Sequence, residues 1–250
     1  MGRSTSSGAS TSANVGSSAG GLSLDAQQRA AVTVPPHTAL AIVAAAGSGK
    51  THVVHQRIVH LVSTHGLVPM RILCLTFAKD ASRELLRRLK RSALTEGVRV
   101  STFHSFALSV LRSSGIIADG AVLDEKDPAR RQLMAAAMMM QQRANQCPPA
   151  AMGALDEKVI DKHLNTYTAC KQKGVASSSE TEKLYAFYEQ RKRESGRVDL
   201  CDLMPRALAA LRADPALLAA CRPDHLVIDE FQDCTTQQHD LLVLLLLGVS

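Results

Sequence analysis

Residues 38–51 read TALAIVAAAGSGKT, an apolar run that passes directly into a glycine-rich turn and a lysine. The run 38–46 carries no charge and is rich in Ala, Val, Leu and Ile, which is typical of a strand buried on both faces of a parallel sheet. Beyond the turn, an amphipathic helix is predicted by the helical spacing of Val53, Val54, Ile58, Leu61 and Val62. A strand, a glycine turn and a helix in this order predict an α/β fold.

Strand and helix signals alternate on both sides of this unit. Short buried strands are predicted at 71–77, 98–102 and 225–229, and helices at 24–32, 80–94 and 103–112. From 119 to 195 the composition is helical and the strand signal disappears. We therefore expect a parallel sheet interrupted by an inserted all-helical subdomain, with the chain divided into 24–118, 119–195 and 196–250.

The composition of the 250 residues is that of an ordinary globular protein, with 46% hydrophobic and 21% charged residues. It excludes a collagen, a coiled-coil rod and a polytopic membrane protein. The longest apolar run, 241–249, is too short to cross a bilayer and predicts a buried helix. The net charge of +6 is uneven, because residues 71–118 contribute +6 and residues 196–250 contribute −4. The basic segment could neutralise nucleic-acid phosphates or form a solvated helix face.

The first 23 residues differ from the rest, with eight Ser, five Gly and Arg3 as the only charged residue. Such a segment buries too little apolar surface to offset its ordering entropy, so we predict a disordered tail at 1–23. An N-myristoylation signal and a transit peptide are the alternatives. The six cysteines form neither a C-x-x-C pair nor a zinc-site spacing, and no signal-peptide pattern occurs. These features favour an intracellular location, in the nucleus or an organelle of a eukaryote or in the cytoplasm of a bacterium.

Residues 44–51 fit the phosphate-binding loop pattern A/G-x-x-x-x-G-K-S/T. Backbone N–H groups of such a loop and of the following helix cradle phosphates. Lys50 is expected to reach the β- and γ-phosphates, and the Thr51 hydroxyl is a candidate Mg²⁺ ligand. The predicted nucleotide-contacting residues of the loop are Ala44, Ala45, Ala46, Gly47, Ser48, Gly49, Lys50 and Thr51.

The stretch HLVIDE at 225–230 is a short apolar strand that ends in paired carboxylates. Asp229 is expected to hold Mg²⁺, and Glu230 is expected to orient and polarise an attacking water. A strand followed by an acidic turn is common on its own. Together with a phosphate loop at the ends of parallel strands, it predicts a nucleoside triphosphate site with Glu230 and Lys50 as catalytic residues.

The continuation of that stretch, DEFQD at 229–233, resembles the D-E-x-Q-D motif II of superfamily 1 helicases of the UvrD/Rep type. Further stretches resemble the family's motifs in the family's order. They are LDAQQRAAV at 24–32 (Q motif), 72–85 (motif Ia), 102–106 (motif Ib), DLCDL at 199–203 (the return from a helical insertion) and the glutamine at 238. The resemblance covers 24–248 and implies a RecA-like P-loop NTPase domain.

This resemblance implies an ATP-driven, Mg²⁺-dependent motor that moves 3′ to 5′ on single-stranded DNA. It assigns adenine recognition to Gln28 and adds Gln232 to the predicted nucleotide contacts. Motifs Ia and Ib line the DNA strand in such enzymes, where aromatic rings stack on bases and hydroxyl or imidazole groups bind phosphates. The predicted DNA-binding residues are Thr76, Phe77, Phe103, His104 and Ser105.

The sequence also departs from the family pattern. Ala45 replaces the usual Gly, which is expected to weaken nucleotide binding if that residue needs a positive φ or lets the backbone approach a phosphate closely. Lys79 and Asp80 replace the usual Asn and Lys. Motif III and the motifs of a second RecA-like domain, which supplies the other wall of the ATP cleft, do not occur in the 250 residues.

We therefore expect the isolated chain to be inactive or nearly so unless a further segment or a partner chain completes the cleft. Two alternatives stay open. One is a stand-alone nucleotide- and DNA-binding fragment without motor activity, and the other is a decayed gene product.

Overall fold

Three parallel strands form the main sheet of the computed structural model, which describes residues 24–45, 47–146, 155–173 and 178–248. In chain order, the strands of the described residues are β1 (Ile72–Thr76), β2 (Arg99–Thr102), β3 (Val122–Leu123), β4 (Val198–Asp199) and β5 (His225–Ile228). The order in the main sheet is β2-β1-β5, so β1 is the central strand. Its register pairs Cys74 with Val100 on one side and with Val227 on the other.

Helices surround this sheet. Those in the described residues are α1 (Ala26–Thr33), α2 (Lys50–His65), α3 (Lys79–Leu89), α4 (Phe103–Ser113), α5 (Pro128–Ala144), α6 (Glu157–Lys173), α7 (Ser179–Glu194), α8 (Leu200–Ala213), α9 (Pro215–Cys221) and α10 (Thr236–Leu247). Asp25 and Thr235 form capping boxes at α1 and α10, and Gly66 ends α2 in the left-handed conformation. The strands predicted at 71–77, 98–102 and 225–229, and the helices predicted at 24–32 and 103–112, are confirmed to within a few residues.

The central strand β1 separates two apolar layers. Leu73 and Leu75 pack in a cluster with α4, α8 and α10, whereas Ile72 and Cys74 pack in a cluster with α2 and α3. A strand covered on both faces needs apolar side chains at every position, which is why ILCLT is a continuous run rather than an alternating pattern. Because β1, β2 and β5 run parallel, their carboxyl ends lie at the same edge of the sheet.

The strand predicted at 38–46 does not form in the described residues, and that prediction is wrong. Residues 38–45 are irregular, and the Val43 side chain is 97% exposed. A buried strand needs a neighbouring strand to satisfy its backbone N–H and C=O groups. Among the described residues, β5 pairs with β1 alone and no strand lies beside 38–45. The apolar run therefore has no partner to pair with.

Helices α5, α6 and α7 lie between β3 and β4 in the chain and share a core of their own. The strands β3 and β4 are adjacent and parallel, with Val122 opposite Val198, and the Val198 N–H donates to the Ala121 carbonyl at 3.0 Å. The sequence pattern does not predict these strands, because two residues are too few for a periodic signal. The chain thus leaves for the three helices and returns from them at neighbouring points.

Two predicted helices differ from the structure. The basic helix predicted at 80–94 ends at Leu89, where the Thr95 hydroxyl donates to the Leu89 carbonyl at 2.6 Å and a 3-10 turn follows. The apolar helix α10 is buried along one side only, since Val243, Leu246 and Leu247 are exposed. No helix of the described ranges is long and apolar enough to cross a membrane. The tail predicted at 1–23 lies outside the described residues.

Candidate functional site

The loop 44–51 leads into the first turn of α2. Gly47 and Gly49 have φ values of +78° and +87°, which residues with a Cβ rarely adopt. Gly49 is the N-cap residue of α2 and makes no side-chain hydrogen bond to the first turn, and the amino end of a helix favours an anion. Ala44 and Ala45 are exposed, and Ala46 lies outside the described residues. Ala45 does not have a positive φ, so the strain expected there does not arise in this conformation.

Lys50 and Glu230 meet at the carboxyl edge of the sheet. Lys50 Nζ lies 4.0 Å from Glu230 Oε1 and donates to the Ala44 carbonyl at 3.1 Å. Glu230 follows β5 with φ +54° and ψ +47°, a left-handed conformation that is uncommon for a residue with a Cβ. Gln232 Nε2 donates to Glu230 Oε2 at 2.5 Å. The structure therefore brings together both predicted catalytic residues and Gln232.

Asp229 is fixed at the end of β5, because its N–H donates to the Leu75 carbonyl of β1 at 2.9 Å. Its side chain is half-buried. Burial, and then the neighbouring Glu230, raise the pKa of the Asp229 carboxyl above its ordinary value, and Lys50 opposes this only weakly. A divalent cation held here would offset both effects.

Helix α1 places Gln28 against the phosphate loop. Gln28 Oε1 accepts from the Asp25 N–H at 3.1 Å within the capping box, and Nε2 donates to the Ser48 carbonyl at 3.2 Å. A Cβ at Gly49 would lie 3.3 Å from that Nε2, so the glycine also makes room for the amide. Gln28 thus lies beside the residues predicted to bind phosphates.

The residues of this edge fit a magnesium–nucleotide complex. Thr51 in the first turn of α2 offers a hydroxyl and Asp229 a carboxylate, the oxygen donors that Mg²⁺ prefers, and Mg²⁺ commonly keeps its other positions for water and phosphate. Lys50 and the amino end of α2 supply positive potential for the phosphates.

The two rings predicted to stack on DNA bases differ in access. Phe77, which follows β1, is 40% exposed, whereas Phe103 is 1% exposed and packs in the core. The ring centroids are 6.1 Å apart in an edge-to-face arrangement. Stacking of Phe103 on a base does not fit this conformation, because a buried ring has no free face. Phe77 keeps a free surface and remains the candidate.

The polar residues predicted to bind DNA divide in the same way. Thr76 is buried and donates to the Ala78 carbonyl at 3.2 Å, so it shapes the turn after β1. Ser105 is exposed in the first turn of α4, where its hydroxyl accepts from Thr102 at 2.9 Å. His104 is half-buried, and this burial lowers the pKa of its imidazole. A neutral imidazole at the amino end of a helix can still donate one hydrogen bond to a phosphate.

The basic residues of α3 are largely paired within the helix. Arg87 and Arg88 contact Glu84 at 2.8 and 2.7 Å. Arg83 contacts Asp80 at 3.1 Å. These pairs reduce the electrostatic attraction to nucleic acid that the charge count alone suggests.

Buried charges outside the motifs escape the sequence analysis. Arg57 lies inside the apolar stripe of α2, four residues from both Val53 and Leu61, so the helical spacing carries a signal for its burial. Lys192 of α7 is 0% exposed and contacts Asp199 at 3.2 Å and Asp202 at 2.5 Å. The spacing of residues along the chain does not predict the contacts of Lys192 with Asp199 and Asp202, because they join separate helices.

Comparison with known proteins is consistent with this geometry. The family described as the UvrD/REP helicase N-terminal domain matches residues 24–249. The ATP-dependent DNA helicase PcrA of Leuconostoc citreum is 30% identical over 217 residues, which cover 82% of the chain and 29% of the relative. DNA helicase II of Escherichia coli (strain K12) is 31% identical over 237 residues, 89% of the chain and 32% of the relative. ATP-dependent DNA helicase SRS2 of Saccharomyces cerevisiae is 26% identical over 250 residues, 90% of the chain and 21% of the relative. The chain spans about a third or less of the length of these curated relatives.

Proposed function

Since the chain belongs to the UvrD/REP helicase N-terminal domain family, we propose that it forms the ATP- and DNA-binding part of an ATP-dependent DNA helicase that moves 3′ to 5′ on single-stranded DNA. The observation that carries the proposal is the 4.0 Å approach of Lys50 Nζ to Glu230 Oε1. With this approach, the phosphate loop and the carboxylates after β5 share one edge of the sheet, where a nucleoside triphosphate can contact both.

In this proposal the residues of the chain divide the work on ATP. Lys50 and the N–H groups at the start of α2 bind the terminal phosphates, and Glu230 orients the attacking water and accepts its proton. Gln232 holds the Glu230 carboxylate through its hydrogen bond. Thr51 and Asp229 hold Mg²⁺, which supplies positive charge against the phosphate oxygens. Gln28 reads the adenine edge from its position beside Ser48.

We assign the single-stranded DNA to the turn that follows β1 and to the amino end of α4, which begins directly after β2. Phe77 offers the ring on which a base can stack, and His104 and Ser105 lie at the amino end of α4, where the helix dipole favours phosphate. In this proposal the buried Phe103 and Thr76 support the turn and the helix end rather than touch DNA. Stacking and phosphate contacts carry no base code, so binding should tolerate any sequence.

The motor also needs a second RecA-like domain, in the same chain or in a partner, to close over the ATP. We propose that this domain packs on the exposed run 38–45 and on the exposed apolar side chains of α10. The stretches 24–118 and 196–250 then form one RecA-like domain, and 119–195 is its helical insertion.

The function is tested by measuring ATP binding and DNA-stimulated ATP hydrolysis for the 250-residue chain, for Lys50→Ala and for the control Lys90→Ala. We expect Lys50→Ala to abolish ATP binding and Lys90→Ala to leave it unchanged. Hydrolysis should stay at or near background in all three proteins, because one wall of the ATP cleft is lacking. Strong hydrolysis by the 250-residue chain that Lys50→Ala abolishes would contradict the requirement for a second domain to complete the ATP cleft. ATP binding that Lys50→Ala leaves unchanged would refute the phosphate-loop assignment.

The DNA assignment is tested by the fluorescence anisotropy of a labelled oligothymidine. Phe77→Ala should lower the affinity about tenfold, since stacking contributes ~1–3 kcal/mol per base. Leu94→Ala, which also truncates an exposed apolar side chain, should leave it unchanged. A chain that binds ATP and DNA, yet stays inactive with a homologous second domain added, supports the alternative of a binding fragment without motor activity.

A further inference from the structure

Arg57 is a buried cation in the middle of α2 that the proposed chemistry does not use. Its side chain is 6% exposed, and Nη1 donates to the carbonyls of Ala31, Val32 and Val34 at 3.3, 3.1 and 2.8 Å. Burial lowers the pKa of Arg57, and no acidic side chain of the described residues pairs with it. Backbone oxygens therefore hold the Nη1 group of its guanidinium.

These three oxygens belong to the carboxyl end of α1. The last carbonyls of a helix lack partners within the helix and carry partial negative charge. A guanidinium supplied from α2 satisfies both needs, so Arg57 acts as the cap of α1. The interaction ties the end of one helix to the body of the other.

The amino end of α1 is tied to the phosphate loop as well. Gln28 lies in its first turn and donates to the Ser48 carbonyl at 3.2 Å. Helix α1 has only eight residues, and Val32 is its one buried residue. A helix this short has little stability of its own, so its position depends on contacts with α2 and the loop.

We propose that Arg57 is a positioning residue for adenine recognition. By holding the carboxyl end of α1 on α2, it keeps the Gln28 amide beside Ser48 and thereby sets the preference for ATP over other nucleoside triphosphates. This inference rests on the proposed function. Lys50, the proposed phosphate ligand, lies on α2 itself, and its hydrogen bond goes to Ala44 rather than to α1.

The test measures the equilibrium binding of MgATP, MgGTP and inorganic tripolyphosphate to the full chain. Arg57→Met removes the charge and the donors at similar volume. Arg29→Met is the matched control, because Arg29 is an exposed arginine of α1 that donates to Leu24 rather than to α2. Gln28→Ala and the double variant Gln28→Ala/Arg57→Met complete the set.

We expect Arg57→Met to lower the affinity for MgATP about tenfold, a change of ~1.4 kcal/mol, and to change that for tripolyphosphate less than twofold. The preference for ATP over GTP should fall to that of Gln28→Ala, with no further loss in the double variant. Arg29→Met should keep the preference. Equal losses for MgATP and tripolyphosphate, or an unchanged preference, would overturn the proposal.

If Arg57→Met fails to fold, Arg57→Lys carries the test. Lysine keeps the charge but loses the fork of donors, so hydrogen exchange should rise at 26–33 and stay unchanged at 53–65. Unchanged exchange at 26–33 would overturn the proposal. Tripolyphosphate binding that survives Lys50→Ala would instead refute the proposed function, so the two failures are distinguishable.

Discussion

Single residues at the candidate site hold backbone conformations that most side chains avoid. Gly47 and Gly49 turn the loop with positive φ, and Glu230 adopts φ +54° although it has a Cβ. The Glu230 carboxylate is held by Gln232 and faces Lys50. Conformations of this kind cost free energy and persist when their surroundings fix them. Here they aim a carboxylate at a lysine.

Gly49→Ala should separate backbone strain from ligand binding. A Cβ at this φ costs ~1 kcal/mol of folding free energy and also presses on Gln28 Nε2 at 3.3 Å. Gly66→Ala introduces the same strain at φ +66° in open space at the other end of α2. Urea denaturation should show similar losses for both variants, whereas only Gly49→Ala should weaken ATP binding. Equal ATP affinity in the two variants would argue against a role for this loop in binding.

Asp229→Asn should stabilise the chain in the absence of nucleotide. Since burial and Glu230 raise the pKa of Asp229 in the folded chain, its titration costs folding free energy that grows from the pKa of the unfolded chain up to that raised value and is complete above it. Below the pKa of the unfolded chain the carboxyl is protonated in both states and the cost vanishes. The stability gained by the variant should therefore grow as the pH rises through this window.

Urea denaturation of both proteins from acid to neutral pH checks this dependence. Adding MgATP should then favour the parent, because Asp229 binds the metal in its charged form. A stability difference that does not vary with pH would show that the Asp229 carboxyl titrates normally.

Among the elements, α5, α7 and α8 are joined by a buried ion cluster. Lys192 of α7 contacts Asp199 and Asp202 and lies over the Tyr167 ring. Arg130 of α5 contacts Asp199 at 3.1 Å. Asp199 and Asp202 also form the capping box of α8. The same carboxylates thus begin α8 and anchor the helices that precede it in the chain.

Lys192→Met should destabilise the chain by ~3 kcal/mol, because it removes the buried cation that two carboxylates share and leaves Asp199 with Arg130 and Asp202 with Lys171 alone. Arg131→Met is the control, since it removes a pair with Asp161 that is exposed on both sides and contributes little. The free energy of unfolding from urea denaturation distinguishes the two. If both variants lost the same stability, the buried cluster would have no special weight.

At the scale of the whole molecule, the apolar run 38–45 lies exposed in front of the phosphate loop. Exposed irregular backbone is the preferred substrate of proteases. Elastase, which cleaves after small apolar residues, should therefore cut within 38–45 before it cuts β1, and MgATP should slow this cleavage by ordering the adjoining loop. Mass spectrometry of the fragments over time provides the measurement. Survival of 38–45 for as long as the buried residues 72–76 would contradict the exposed conformation.

The sequence predicts the apolar runs and the motif residues, but whether a run becomes a strand depends on its neighbours in the sheet. The runs at 72–76 and 225–228 become strands because their neighbours in the sheet are present, and the paired carboxylates follow β5 as expected. Residues 38–45 of the similar run at 38–46 form no strand in the described part of the chain, because pairing depends on a second segment rather than on their own residues. A strand can therefore be predicted from its own residues only where a neighbouring strand is present to pair with it.

The features of the candidate site also differ in whether the sequence predicts them. The spacing of the loop residues and the carboxylates predicts the approach of Lys50 to Glu230. The burial of Phe103 and the contacts of Arg57 depend on packing between elements, which a linear pattern does not record. A polar residue inside an apolar helical stripe, such as Arg57 in α2, is a sequence signal that points to such contacts.

The pairing of β3 with β4 has a consequence for how this chain can vary. Leu123 and Asp199 lie opposite each other, so the polypeptide between them begins and ends at a single junction. We therefore expect changes in the length of α5, α6 and α7 to leave the loop that holds Lys50 unaltered, provided that the cations that meet Asp199 and Asp202 are retained.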